Sequence, residues 1–186
     1  MEKYKIYDRK NKLIVEGEAE SFKAFVEEHK KDLKDADLTE ADLTGVDLRG
    51  ADLIGAYLQY ADLYEADLCK ADLRGADLQF ADLRGVDLQK IDLSGANLIR
   101  ADLCKADLEG ANLTGADLRG ADLRYSDLRY ANFRYANLFD ANLTGADLRK
   151  ADLRYANLRG ADLQNVTITH AQLIQVNQSI GLIILP

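Results

Sequence analysis

From Ala36 to Gln175 the chain repeats every five residues in one register, through 28 pentads without an insertion. The third position is Leu in 26 of them, with Phe133 and Ile168 the exceptions. The first is Ala in 23, otherwise Val46, Val86, Ile91, Ser126 and Val166. The second is Asp or Asn in 25, the exceptions being Tyr57, Thr167 and Gln172. A fixed period is the mark of a repeat architecture. An α-helix turns about 100° per residue, so Leu would advance by roughly 140° per repeat and form no stripe. A straight strand would place successive Leu on opposite faces, because five is odd. All of them can be buried only if the chain turns once per pentad, always in the same sense. Positions one and three then point inward, and positions two, four and five face outward or make the corner. Of 13 Gly, 11 occupy the fifth position, where positive φ suits a turn. Tyr, Lys, Asn and Asp at other fifth positions predict some corners built from turns that dispense with Gly.

A chain that turns at every pentad winds into a coil, and stacked coils form a solenoid. Coils would lie about 4.8 Å apart. Periodicity leaves the number of sides open. Ala-(Asp/Asn)-Leu-x-x in tandem resembles the pentapeptide-repeat family, over about 140 of the 186 residues. That resemblance implies an all-β solenoid: a right-handed, four-sided parallel β-helix with 20 residues per coil. It implies about seven coils here, and a rod of roughly 34 Å at the strand spacing. A core of Ala and Leu leaves no interior pocket for a ligand.

The ends depart from the repeat, and three parts are expected: an N-terminal hairpin-helix cap over 1–35, a β-helix over 36–168, and a C-terminal cap and tail over 169–186. Tyr4 and Ile6, then Leu13 and Val15, alternate with polar residues around Asp8-Arg9-Lys10-Asn11, which predicts a β-hairpin. Ser21 is placed to N-cap a helix over 22–34 with Phe22, Phe25, Val26, His29 and Leu33 on one face. Lys31 to Asp35 already imitates a pentad. Such a head resembles the N-terminal caps of some phage and bacterial pentapeptide-repeat proteins. At the other end, Thr169 would start a short helix to Gln178 with Leu173 and Val176 inward and His170 at the last corner. The apolar run Ile180 to Pro186 reads as a flap over the last coil or as a homodimer seam, so the chain is expected to be a monomer or a tail-mediated homodimer.

Lys and Arg number 24 against 32 Asp and Glu, a formal charge of −8. That argues against direct DNA binding. The head balances nine acids with nine bases; residues 36–100 hold 13 acids and 6 bases, and 101–165 hold 10 and 9. No apolar run approaches the roughly 18 residues of a membrane helix, and the charged N-terminus does not read as a secretory signal. Two Cys suggest a reducing, cytoplasmic setting, with Cys69 and Cys104 as free surface thiols. Two His add no metal-ligand spacing, and His29 reads as a packed cap residue. There is no Ser/His/Asp set and no phosphate-cradling Gly loop, so neither an enzyme nor a cofactor is expected.

With four sides, residues 20 apart share a column. Asp47, Asp67, Asp87, Asp107, Asp127 and Asp147 then form an unbroken line, and Asp42, Asp62, Asp82, Asp102 and Asp122 a second before Asn142. Neighbouring carboxylates at that spacing repel by roughly 0.9 kcal/mol in water. Two readings stand side by side. Asp and Asn side chains satisfy nearby backbone N–H groups, as they do in turns. Alternatively, carboxylate lines imitate DNA phosphates, since some pentapeptide-repeat proteins that protect DNA gyrase are acidic DNA mimics. This chain departs from that subgroup in its uninterrupted repeats and its hairpin-helix head. A second feature is an Arg-Tyr belt around one coil, Arg124-Tyr125, Arg129-Tyr130 and Arg134-Tyr135, with Arg154-Tyr155 one coil on. It suits side-chain packing at Gly-free corners, or a binding surface where Arg stacks on Tyr. Tyr60 and Phe80 share a column and are expected to stack. The function expected is a non-enzymatic rod acting as a scaffold for an unidentified protein partner. The alternatives are a DNA-mimicking topoisomerase regulator and a spacer without a specific partner.

Overall fold

A computed structural model describes residues 1–179, with side chains through Val176. Both expectations for Ile180 to Pro186 lie outside the described residues. Parallel bridges join residue i to i+20 from Asp37↔Tyr57 through Asp147↔Thr167. Each coil therefore has 20 residues and four five-residue sides, and second-position residues stack in columns.

One pentad shows why each position carries its residue. Ala121 N–H donates to the Leu118 carbonyl at 3.0 Å and closes the preceding turn. Asp122 N–H reaches back one coil to Ala101 O at 3.0 Å. Leu123 and Tyr125 N–H reach forward to Asn142 O at 2.7 Å and Thr144 O at 3.0 Å. The Arg124 N–H has no carbonyl, and Asp122 Oδ1 accepts it at 3.0 Å. All five donors are used, as backbone removed from water requires. Side chains at positions one and three point into the core. Leu103, Leu108 and Leu123 are wholly buried, as is Phe133. Ser126 takes an Ala position because its hydroxyl donates to Leu123 O at 2.7 Å.

The expectation of Gly-free corners with a different turn is corrected. Every fifth residue from Asp35 to Asn165 has positive φ, between 56° and 74°, whether Gly or not. The corner is closed by the same i→i+3 bond everywhere, so its backbone shape does not vary with the residue. A side chain held there costs about 1–2 kcal/mol. Ring stacking along the edges offsets part of this cost: Tyr60 on Phe80 at 4.8 Å and 3°, as expected, and Tyr135 on Tyr155 at 5.0 Å and 7°. At Gly145, φ is 71° and an added Cβ would meet the Tyr125 ring at 2.7 Å. Gly145→Ala is expected to lower stability by at least about 1–2 kcal/mol, and Tyr125→Ser in the same chain to recover part of the loss, as read by thermal denaturation.

The head begins with an antiparallel hairpin, β1 (Glu2–Tyr7) and β2 (Leu13–Ala19). Asp8 carboxylate accepts from Lys10 and Lys12 N–H in its turn. Helix α1 (Phe22–Glu28) starts at Ser21, whose hydroxyl accepts from Ala24 N–H at 3.1 Å. It stops at Glu28 rather than at residue 34. Leu33 lies in the first coil instead of on the helix face, wholly buried. The coil decides this: Lys30 O accepts Asp52 N–H, and Asp35 N–H donates to Ile54 O, both at 2.9 Å. The same head supplies Tyr7 O to Asp37 N–H and Glu27 Oε1 to Asp47 N–H, acceptors that a preceding coil would otherwise provide. Arg9 from the hairpin turn lies 4.2 Å over the Tyr57 ring, which accounts for Tyr in a column of Asp and Asn. His29 packs on Phe25, with ring centroids 4.4 Å apart.

At the far end, helix α2 (His170–Ser179) includes His170 as its first residue, so His170 is not a corner. Val176 is buried, but Leu173 is 41% exposed and Gln172 only 3%. The inward residue is polar because the last coil presents unpaired backbone. Gln172 Oε1 accepts from Lys150 N–H at 3.1 Å, and its Nε2 donates to Ala151 O at 3.0 Å and to Leu148 O. Gln175 Oε1 accepts from Leu153 N–H at 2.9 Å. The two side-chain amides stand where peptide groups of another coil would be. Gln172 also accepts from Thr169 N–H at 2.9 Å, the capping-box contact that starts α2.

Candidate interaction surface

The second-position carboxylates have a structural role throughout the rod. Their Oδ1 accepts the backbone N–H two residues on, as at Asp67 to Cys69, Asp87 to Gln89 and Asp107 to Glu109. Asn fills that role equally, as at Asn132 to Arg134 and Asn142 to Thr144. An oxygen is needed there, and its charge is not.

The charge is mostly met by a neighbour. Wherever the local sequence is Asp-Leu-Arg, the guanidinium folds back on the carboxylate. On the line from Asp47 to Asp147, Arg49 pairs with Asp47 at 2.7 Å and approaches Asp67 at 3.5 Å. Arg129 pairs with Asp127 at 2.6 Å and Arg149 with Asp147 at 2.5 Å. Lys30 adds a second contact to Asp47. Among the described residues of this line, Asp87 and Asp107 alone have no cation within ion-pair distance, and Asp107 accepts from Gln89 Nε2 at 2.7 Å. The unbroken line of six Asp exists as a column, but it is not a bare anionic line. The reason is local: side chains at positions two and four point to the same side of the pleat.

These contacts hold the carboxylates acidic. The side-chain hydrogen bond from the Arg two residues on is the largest influence at Asp72, Asp82, Asp127, Asp147 and Asp152, and all lie below the usual carboxylate range. Asp42 falls to about 2, chiefly through Lys23 of the head. Groups whose folded pKa is depressed contribute stability that is complete above the unfolded value near 3.9 and is lost as pH falls through the folded value. Thermal stability is therefore expected to be level above about pH 5 and to fall between about pH 4 and pH 2. Circular-dichroism melts across that range test it, and a fall already under way at pH 6 would contradict it.

The Arg-Tyr belt is resolved into separate contacts. Arg124 and Arg129 turn to Asp122 and Asp127, and Arg129 also pairs with Glu109 on the preceding coil at 2.6 Å. Tyr125 lies over Gly145. Tyr130 receives Lys150, whose Nζ is 2.9 Å from the hydroxyl. Only at Arg134 does the guanidinium of the belt lie over its own neighbour, 5.8 Å from the Tyr135 ring. Of the two readings of the belt, Arg stacked on its own Tyr holds only at Arg134, because elsewhere a carboxylate two residues back outcompetes the ring. The rings remain exposed: Tyr125 by 61%, Tyr130 by 51%, Tyr135 by 59% and Tyr155 by 70%. Phe139, which sequence reasoning passed over, is exposed beside them. An aromatic ring at a fourth position, in a column otherwise of Thr39, Gln59, Gln79, Ile99, Arg119 and Arg159, was the available signal. Cys69 and Cys104 are free thiols, and burial pushes the Cys104 thiol up, away from reactivity.

No helix among the described residues is long and apolar enough to cross a membrane. No curated protein sequence gives a significant match. Among solved structures, the chain is similar to HetL, a pentapeptide repeat protein involved in heterocyst differentiation regulation from the cyanobacterium Nostoc sp. strain PCC 7120. The two share 35% identity over 70% of this chain and 82% of that one, with a TM-score of 0.49. It is similar to a pentapeptide repeat protein from the Arabidopsis thaliana thylakoid lumen, at 35% identity over 57% and 78% of the two chains and a TM-score of 0.44. It is also similar to QnrB1, a plasmid-mediated fluoroquinolone resistance protein, at 26% identity over 80% and 85% and a TM-score of 0.42. The family described as pentapeptide repeats matches in 8 copies over residues 32–68, 51–89, 91–129, 106–145 and 141–177. Together with the 20-residue register and the turn at every fifth residue, this match makes the chain a member of the pentapeptide repeat family, whose fold is the right-handed quadrilateral β-helix.

Proposed function

We propose that the protein is a non-enzymatic interaction scaffold: a rod of about seven coils over 36–168, closed by its 1–35 head and by the part from 169 onward, that presents its flat sides to a protein partner. The free thiols favour a cytoplasmic setting. One observation carries the reading. The surface of the C-terminal half is mostly paired charge, yet Tyr125, Tyr130, Tyr135 and Tyr155 stand at its corners at least half exposed. Aromatic side chains concentrate at the energetic centres of protein interfaces. The DNA-mimic reading has less support, because guanidinium and ammonium groups sit on most of the carboxylates that would imitate phosphate. The test is affinity capture from host extract with three baits: the unaltered chain, Tyr135→Ser/Tyr155→Ser, and Tyr60→Ser/Phe80→Ser. Loss of a partner with one aromatic pair and its retention with the other is the expected result. Equal capture by all three would favour a spacer.

A further inference from the structure

The fourth position holds ten Arg, and eight of them have Asp two residues earlier. All eight of those guanidiniums pair with that Asp. The two exceptions are Arg134, after Asn132, and Arg159, after Asn157. In both, the Asn still serves the turn. Asn132 Oδ1 accepts Arg134 N–H at 3.1 Å, and Asn157 Oδ1 accepts Arg159 N–H at 3.3 Å. Exchanging Asp for Asn leaves the turn intact and removes only the anion. Neither Arg134 nor Arg159 has a carboxylate within ion-pair distance among the described residues.

These two cations bracket one patch. Between them, at the corner where the side carrying Arg134 meets the side carrying Arg159, lie the stacked Tyr135 and Tyr155, and on the Arg159 side lie the exposed Phe139 and Asn137, bonded to Asn157 at 2.9 Å. The nearby carboxylates are Asp152, which Arg154 holds in an ion pair, and Asp140 at the far corner. The patch is an aromatic edge of the rod with a guanidinium on the side to either hand. In a chain of net charge −8 it is a place where two guanidiniums lack a close ion pair, Arg134 acting on Asp152 only at longer range. A guanidinium without a carboxylate in ion-pair range is suited to bidentate carboxylate recognition, and the rings between supply apolar contact. We infer that this edge, flanked by Arg134 and Arg159 and centred on Tyr135 and Tyr155, docks an acidic segment of the partner protein. The inference rests on the scaffold reading and names the chemistry of its site.

The variant pair Asn132→Asp/Asn157→Asp tests it directly, because each new carboxylate is placed to recapture its Arg without disturbing the turn. The probes are immobilised ten-residue peptides of random sequence spanning net charge −5 to +5, about the length of a short docking motif, with fluorescence anisotropy on the peptides retained. An oligo(dT) strand serves as a competing anion. Retained peptides are expected to be acidic, to weaken with salt, and to lose about tenfold or more in affinity for the Asn→Asp pair at unchanged melting temperature. Arg124→Gln, at a paired Arg, should leave binding as it was. Retention without charge preference, equal binding by the Asn→Asp pair, or tighter binding of oligo(dT) than of any peptide would overturn the inference. If the peptides fail while Tyr135→Ser/Tyr155→Ser still loses a captured partner, the acidic-segment inference falls and the scaffold reading stands.

Discussion

Phe133→Ala is expected to lower the free energy of unfolding by about 3–5 kcal/mol, the range for emptying a wholly buried aromatic site. Phe133 is 0% exposed and stands in register between Leu113 and Leu153, both also 0% exposed. The walls of that site are backbone locked by Leu113 N–H to Asn132 O and Phe133 N–H to Asp152 O, each at 2.8 Å. A ladder bonded on both sides has little freedom to collapse into the space. Phe133→Leu restores the repeat and fills most of the volume, so its cost should be no more than about 1.5 kcal/mol. Urea denaturation of the two variants measures the difference. A Phe133→Ala loss under about 1 kcal/mol would mean that the coils close up, contrary to the rigidity assigned to the ladder.

Gln172→Ala should have the second large effect, and a local one. It strips the acceptor from Lys150 N–H and the donor from the Ala151 carbonyl, while the Leu148 carbonyl keeps Ala151 N–H. Each buried polar group left unpaired costs about 1–3 kcal/mol, and fraying of the last coil into water limits the sum to about 2–4 kcal/mol. Solenoid stability is carried between neighbouring repeats, so the loss should be read near that end. Amide exchange at Lys150 and Leu153 is expected to accelerate while that at Leu103 stays unchanged. Gln172→Glu keeps the acceptor and loses the donor, so Lys150 should keep its protection in that variant. Uniform acceleration along the rod would contradict this account of the end.

Several features were legible because the repeat is strict. The inward pair of Ala and Leu, the turn at each fifth residue and the Tyr60–Phe80 stack follow from counting positions. The hairpin, the Ser21 cap and the pentad-like character of Lys31 to Asp35 were legible from local patterns. Three things were not. The corners were expected to change turn type where Gly is absent, yet Tyr125 at φ 58° adopts the same geometry as Gly120 at 65°, because the bond that closes the corner is a property of the coil. Leu173 was expected inward by apolarity, but the end of a coil demands hydrogen bonds, so Gln172 is buried instead. The Asp column was legible as backbone acceptors or as a line of charge, while the pairing of Asp with the Arg two residues on depends on side-chain direction in the folded pentad.

The sequence by itself determined the period, the composition of the core and the recurrence of Asp or Asn at the second position, since the same backbone accounting recurs in nearly every pentad. Only the tertiary structure decided which charges remain. Asp and Asn at the second position differ by one heavy atom and satisfy the same N–H. Whether a guanidinium is consumed or left over, and whether it then borders Tyr135 and Tyr155, depends on which sides the winding brings together. Column membership requires the 20-residue coil, and ion pairing requires side-chain geometry, neither of which a five-residue period contains.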